Sequence, residues 1–109
     1  MRTQITTRLE CHITEQHIEE GTLGCVDRCA AALAVVAACE RENIECRIVR
    51  VCDTTVVIVH AWNYGRESCA LTPKALMEWV ERYDAQYAGK PVAPMSFTLE
   101  FAGPLPKNN

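Results

Sequence analysis

Asp27-Arg-Cys-Ala-Ala-Ala-Leu-Ala-Val-Val-Ala-Ala-Cys39 is the stretch that decides how the rest of the chain is read. From Cys29 to Cys39 no side chain is polar, and Glu40-Arg-Glu-Asn43 follows. The run is longer than an ordinary strand, and its alanine content favours helix. Asp27 is placed to cap the first turn, and Asn43 to end the last. A helix without a polar face must be buried on most sides, yet this one is only about half the length needed to cross a bilayer. It is expected to be a core helix whose small side chains let a sheet approach closely.

On the N-terminal side, residues 4 to 13 alternate: Ile5, Thr7, Leu9, Cys11 and Ile13 fall on one face, with Arg8, Glu10 and His12 on the other. That pattern predicts a strand with one wet face. Thr14 then caps a short helix over Glu15 to Glu20, stapled by Ile13 and Ile18 and ended by Gly21. On the C-terminal side, Ile44 to Cys52 alternates imperfectly, and a bulge near Ile48 would reconcile its two halves. Asp53-Thr-Thr55 reads as a tight turn. Val56 to Trp62 is β-branched and nearly all apolar, the mark of a central strand.

Asn63 to Ser68 reads as a loop. Thr72 and Pro73 open a second long helix as cap and first helical residue. Leu76, Val80, Tyr83 and Tyr87 form its stripe, and Gly89 ends it. Lys90-Pro-Val-Ala-Pro94 is an extended linker. Ser96 to Phe101 is a final strand with Phe97, Leu99 and Phe101 facing in. Residues 103–109 form a tail expected to be flexible.

This order predicts an α+β fold in a single domain over residues 1–102. Four antiparallel strands would form one sheet with two main helices on one face. Apart from the extra short helix, that is the split βαββαβ pattern of ferredoxin-like folds. The open sheet face would carry Arg8, Glu10, Thr98 and Glu100. A different strand order built from the same elements is the alternative.

The chain has 109 residues, enough for one core without staples. Its formal charge of −3 and lack of any basic run argue against nucleic acid. No stretch predicts a membrane span. Met1 to Arg8 has no apolar segment of the signal-peptide kind. The expected setting is therefore a reducing cytoplasm, in which the 7 cysteines are thiols.

Chemistry-bearing residues are few. With Asp27 as cap, Cys29 would sit in the first helical turn, beside Arg28, where the helix dipole favours thiolate. That makes Cys29 the candidate reactive thiol. The alternative is a small buried hydrophobe, which free cysteine resembles. Cys11, His12, His17, Cys25 and Cys29 lie close in sequence, but paired zinc-knuckle spacing is missing. Cys25, Cys29 and His17 are thus weak metal candidates only, and no metal or cofactor is expected. Nucleotide, Walker, nucleophile-elbow and zincin motifs are all missing. His60 sits within an apolar strand. It reads either as a base against Cys29 or Cys52 or as a hydrogen-bonded core histidine. Trp62-Asn-Tyr-Gly-Arg66 brings together residue types that dominate protein interfaces. Trp62, Tyr64 and Arg66, with Trp79 on the second helix, are the candidate binding residues.

Two blocks resemble a family of small proteins encoded by phages, prophages and bacteria. One is Ile13-Thr-Glu-Gln-His-Ile-Glu-Glu-Gly21 followed by Cys29-Ala-Ala-Ala-Leu-Ala34. The other is Leu71-Thr-Pro73, Val80-Glu-Arg-Tyr-Asp84 and Gly89-Lys-Pro-Val-Ala-Pro-Met-Ser-Phe-Thr-Leu99. The shared features are a His-Ile-x-x-Gly turn, a cysteine opening an alanine-rich helix, and a Pro-x-x-Pro-x-Ser-Phe-x-Leu ending. Ala30 departs from the proline usual after that cysteine, and the hairpin from Ile44 to Trp62 is long for the family. The resemblance implies a small phage accessory protein in the host cytoplasm and assigns no activity. The expectation is a non-enzymatic protein that binds a host or phage protein, through the open sheet face or the Trp62–Arg66 loop, and blunts a host defence. A thiol-dependent redox or catalytic protein centred on Cys29 is the first alternative. The second is a self-associating structural protein, a homodimer through the sheet face.

Overall fold

The apolar run does fold as a core helix. In the computed structural model, which describes residues 6–61, 66–85 and 92–108, the described elements are β1 (Thr6–Ile13), α1 (Glu15–Glu20), α2 (Ala30–Arg41), β2 (Ile48–Val51), β3 (Thr55–Val59), β4 (Glu67–Leu71), α3 (Lys74–Asp84) and β5 (Met95–Ala102). Helix α2 is buried on most sides, with Ala30, Ala34, Val35 and Ala38 almost fully enclosed. Because alanine projects so little, α2 comes within 8 Å, Cα to Cα, of both β1 and β2. Its cap is Cys29 rather than the expected Asp27, whose carboxylate instead accepts the Cys25 thiol at 2.9 Å. At the other end Asn43 adopts φ 56°. The Ile44 N–H donates to the Cys39 carbonyl at 2.8 Å and the Asn43 N–H to Glu40 at 3.2 Å. This is a Schellman ending, with buried Ile44 as its apolar plug.

Helix α1 has the predicted Thr14 cap. The His17 N–H donates to Thr14 Oγ1 at 3.2 Å, and the Thr14 N–H donates to His17 Nδ1 at 3.1 Å. His17 thus completes a reciprocal box in the place usual for Glu or Gln. Gly21 after it has a steric cause. A Cβ there would meet the Tyr83 hydroxyl and lie 2.6 Å from the Ala30 nitrogen.

The expected single four-stranded sheet is replaced by two antiparallel sheets, β1-β5 and β2-β3-β4. The cause is β4, whose residues read as loop and helix approach in sequence. Once β4 pairs with β3 from Thr55↔Leu71 to Val59↔Glu67, the inner edge of β3 is filled and β1 cannot join it. Strand β1 takes β5 instead, in register from Thr6↔Ala102 to Ile13↔Met95, and β4 runs beside β5 without a ladder. The α+β class holds. In the β1-β5 sheet, Leu9, Cys11, Leu99 and Phe101 face the core while Arg8, Glu10, Thr98 and Glu100 face water, as the alternation predicts. Each fully buried Leu or Phe there contributes about 2 kcal/mol.

Three further expectations change. Strand β2 begins at Ile48, and Ile44 bridges Lys107 instead of extending the ladder, so no bulge is needed. Thr72 does not cap α3; its hydroxyl donates to the Cys52 carbonyl at 2.8 Å, and Pro73 takes the cap position. The segment after β5 is docked rather than loose through Asn108. Leu105 is buried, the Glu45 N–H donates to Pro106 at 2.9 Å, and the Asn108 N–H donates to Asn43 at 2.9 Å. Gly89 and Tyr87 lie outside the described residues.

Candidate functional site

The β3-β4 pairing sets the site. Side chains alternate along both strands, so Val56, Ile58 and His60 share a face with Ala70 and Ser68. Where β3 ends, the His60 N–H donates to the Arg66 carbonyl at 2.8 Å and holds the strands together. His60 is 2% exposed. Its Nδ1 lies 2.6 Å from the Glu45 main-chain carbonyl, and its Nε2 lies 2.7 Å from Ser68 Oγ. A carbonyl oxygen only accepts, so Nδ1 carries the proton, Nε2 is left with a lone pair, and the Ser68 hydroxyl donates to it.

This pair lines an open depression of about 480 Å³. Arg66, Glu67, Pro104, Leu105 and Pro106 line it with them. That volume is in the range of small-molecule and peptide-tip sites. The docked C-terminal segment supports both sides of it. The Glu45 N–H is bound by Pro106, and the Glu45 carbonyl orients His60. The Glu45 Oε1 atom is itself buried with no hydrogen-bond partner among the described residues.

The sequence-derived candidates separate. Arg66 lines the cavity, whereas Trp62 and Tyr64 lie outside the described residues. Trp79 is 2% exposed and stacks on Tyr83 at 5.3 Å between centroids. Its indole N–H donates to the Ala93 carbonyl at 2.7 Å. Trp79 is therefore a core residue and not a contact surface, because it falls on the same helical stripe as Leu76 and Tyr83. His60 takes the hydrogen-bonded core role and does not meet Cys29 or Cys52; its partners are Glu45 and Ser68. Ser68 was invisible as a site residue because Glu67-Ser-Cys-Ala-Leu71 lacks β-branched residues. No local signal marked it, since Glu67-Ser-Cys-Ala-Leu71 does not alternate polar and apolar residues.

Cys29 is 3% exposed. Burial pushes its thiol up from the ordinary cysteine value, with the Ala32 and Ala31 amides pulling against that and Asp84 adding to it. The helix terminus is present as expected, but desolvation outweighs it. A smaller cavity of about 240 Å³ brings Cys25, Cys29 and Cys52 to one opening with Asp53 and Asp84. At the far end of α2 the Cys39 and Cys46 thiols share a hydrogen bond, which raises Cys39 and lowers Cys46. Burial pushes Cys11 up to about 12. All seven cysteines are free thiols. His17 is committed to its cap, and no three His, Cys, Asp or Glu side chains among the described residues are arranged to hold a metal ion. No helix among them is long and apolar enough to cross a membrane.

No protein-family model, no curated protein and no solved structure matches the chain.

Proposed function

We propose that this protein acts by binding a protein partner, and that the partner inserts a segment into the cavity between Arg66 and Pro104–Pro106. The observation that carries this reading is the position of Arg66. It closes the Trp62–Arg66 stretch, the richest in interface residue types, and it lines the open depression beside His60 and Ser68. The proline and leucine wall offers apolar contact, while Arg66 and Glu67 give polar anchoring at the same opening. The wet face of β1-β5 is a poorer candidate for self-association, since Arg8, Glu10 and Glu100 would all be desolvated there. On the phage-family resemblance, the partner is a host or phage protein in the cytoplasm, and the binding blunts a host defence.

A photo-crosslinking residue placed at exposed Glu67 tests the reading in host lysate. One partner captured at near-equal amounts, and lost with Arg66→Glu, supports it. The same partner captured equally well from a probe at Glu19, on α1, sinks it, as does capture of no partner.

A further inference from the structure

We propose that Ser68, His60 and the main-chain carbonyl of Glu45 form an acyl-transfer relay, and that the cavity accepts a small carboxylic ester. This uses the same cavity as the binding proposal but does not require its occupant to be a protein.

Three observations meet at this site. The nucleophile and base are already in contact, with Ser68 Oγ 2.7 Å from Nε2. The base is oriented by a third group, the Glu45 carbonyl at 2.6 Å, which can only accept and so fixes the tautomer that leaves Nε2 basic. The serine is reachable while its base is not: Ser68 is half-buried and lines the open depression of about 480 Å³, while His60 behind it is enclosed. A histidine that only tied two segments together would need the contacts but not the cavity. The segment supplying the carbonyl is also held in place at a cost, since Glu45 Oε1 is buried without a partner among the described residues.

The chemistry balances without a cofactor. Ser68 Oγ forms a bond to the ester carbonyl carbon while its proton passes to His60 Nε2. The imidazolium keeps its Nδ1–H on Glu45. Arg66 lines the cavity and supplies positive charge for the tetrahedral oxyanion. The bond to the leaving alcohol then breaks, and the alcohol oxygen takes the proton from Nε2, leaving acyl-Ser68. A water molecule gives its proton to Nε2 and attacks the acyl carbon. Ser68 Oγ leaves, recovers that proton, and the carboxylic acid is released. Pro104, Leu105 and Pro106 form an apolar wall suited to a short acyl chain.

The test uses the purified full chain and an alkyl fluorophosphonate, with adducts located by peptide mass mapping. Ser96 is an internal control, because its hydroxyl also lies 2.7 Å from a histidine nitrogen, on exposed His12. The expected result is labelling at Ser68 at least about a hundredfold faster than at Ser96, in line with what a positioned base contributes. p-Nitrophenyl butyrate hydrolysis should be lost in Ser68→Ala. Equal rates at the two serines, labelling elsewhere only, or unchanged ester hydrolysis in Ser68→Ala overturns the relay. The comparison within one molecule needs no variant of buried His60. Partner capture by the unsubstituted protein carrying the crosslinker at Glu67, where Ser68 is not labelled, separates failure of the relay from failure of the binding proposal.

Discussion

His12 and His60 each hold a serine hydroxyl at 2.7 Å, yet they belong to different kinds of site. His12 is on the wet face of β1-β5, directly across from Ser96, and both are exposed. Water can satisfy either group, and no third residue among the described ones fixes which ring nitrogen carries the proton. His60 is enclosed, and its second nitrogen meets a carbonyl that leaves one tautomer only. A serine–histidine distance therefore says little by itself. What changes its meaning is desolvation together with an orienting acceptor, because both raise the cost of any other arrangement.

The largest expected effect follows from that difference. His60→Ala removes a buried ring and strands the Glu45 carbonyl, so it should cost about 3 kcal/mol of stability. The urea midpoint should fall accordingly with the slope unchanged. A loss below about 1 kcal/mol would place His60 with ordinary surface histidines and erase the contrast.

Ser68→Ala should cost less, about 1–2 kcal/mol, since it leaves the ring and its Glu45 bond in place and strands only Nε2. Thermal melting of the variant checks this. A stabilised Ser68→Ala would mean that the enclosed Nε2 does not need the hydroxyl, and the contrast with His12 would be lost.

How far this contrast could be read in the sequence differs between the two sheets. The alternation of Leu9, Cys11 and Ile13, and of Phe97, Leu99 and Phe101, gave β1 and β5 their inner faces, and all six are buried. It also gave the wet face on which His12 sits. The same rule failed for β4, whose Ser68, Cys69 and Ala70 carry little β propensity of their own. That strand is specified by the free edge of β3, a property of the assembled sheet. Missing it cost both the sheet topology and the Ser68–His60 contact. Local patterning likewise put the cap of α2 at Asp27, whereas Cys25 competes for that carboxylate. The docked tail was illegible for a related reason: Gly103-Pro-Leu-Pro-Lys107 has no periodicity, and Leu105 finds its place only against a finished core.

The smallest effect is expected at the exposed pair. His12→Ala should change stability by less than about 0.5 kcal/mol, as should Ser96→Ala. The more telling measurement is the double-mutant cycle, which isolates the coupling between the two side chains. Each partner at His12–Ser96 exchanges its protein hydrogen bond for one to water, so coupling near zero is expected. The neighbouring Arg8–Glu100 ion pair, 3.2 Å long with both side chains more than half exposed, should behave in the same way. The cycle for His60 and Ser68 should instead give at least about 1 kcal/mol, because loss of Ser68 leaves the enclosed His60 Nε2 unpaired. Equal coupling in the two cycles would mean that burial and the Glu45 carbonyl add nothing to the serine–histidine bond. The inner site would then lose its claim to be organised any differently from the outer one.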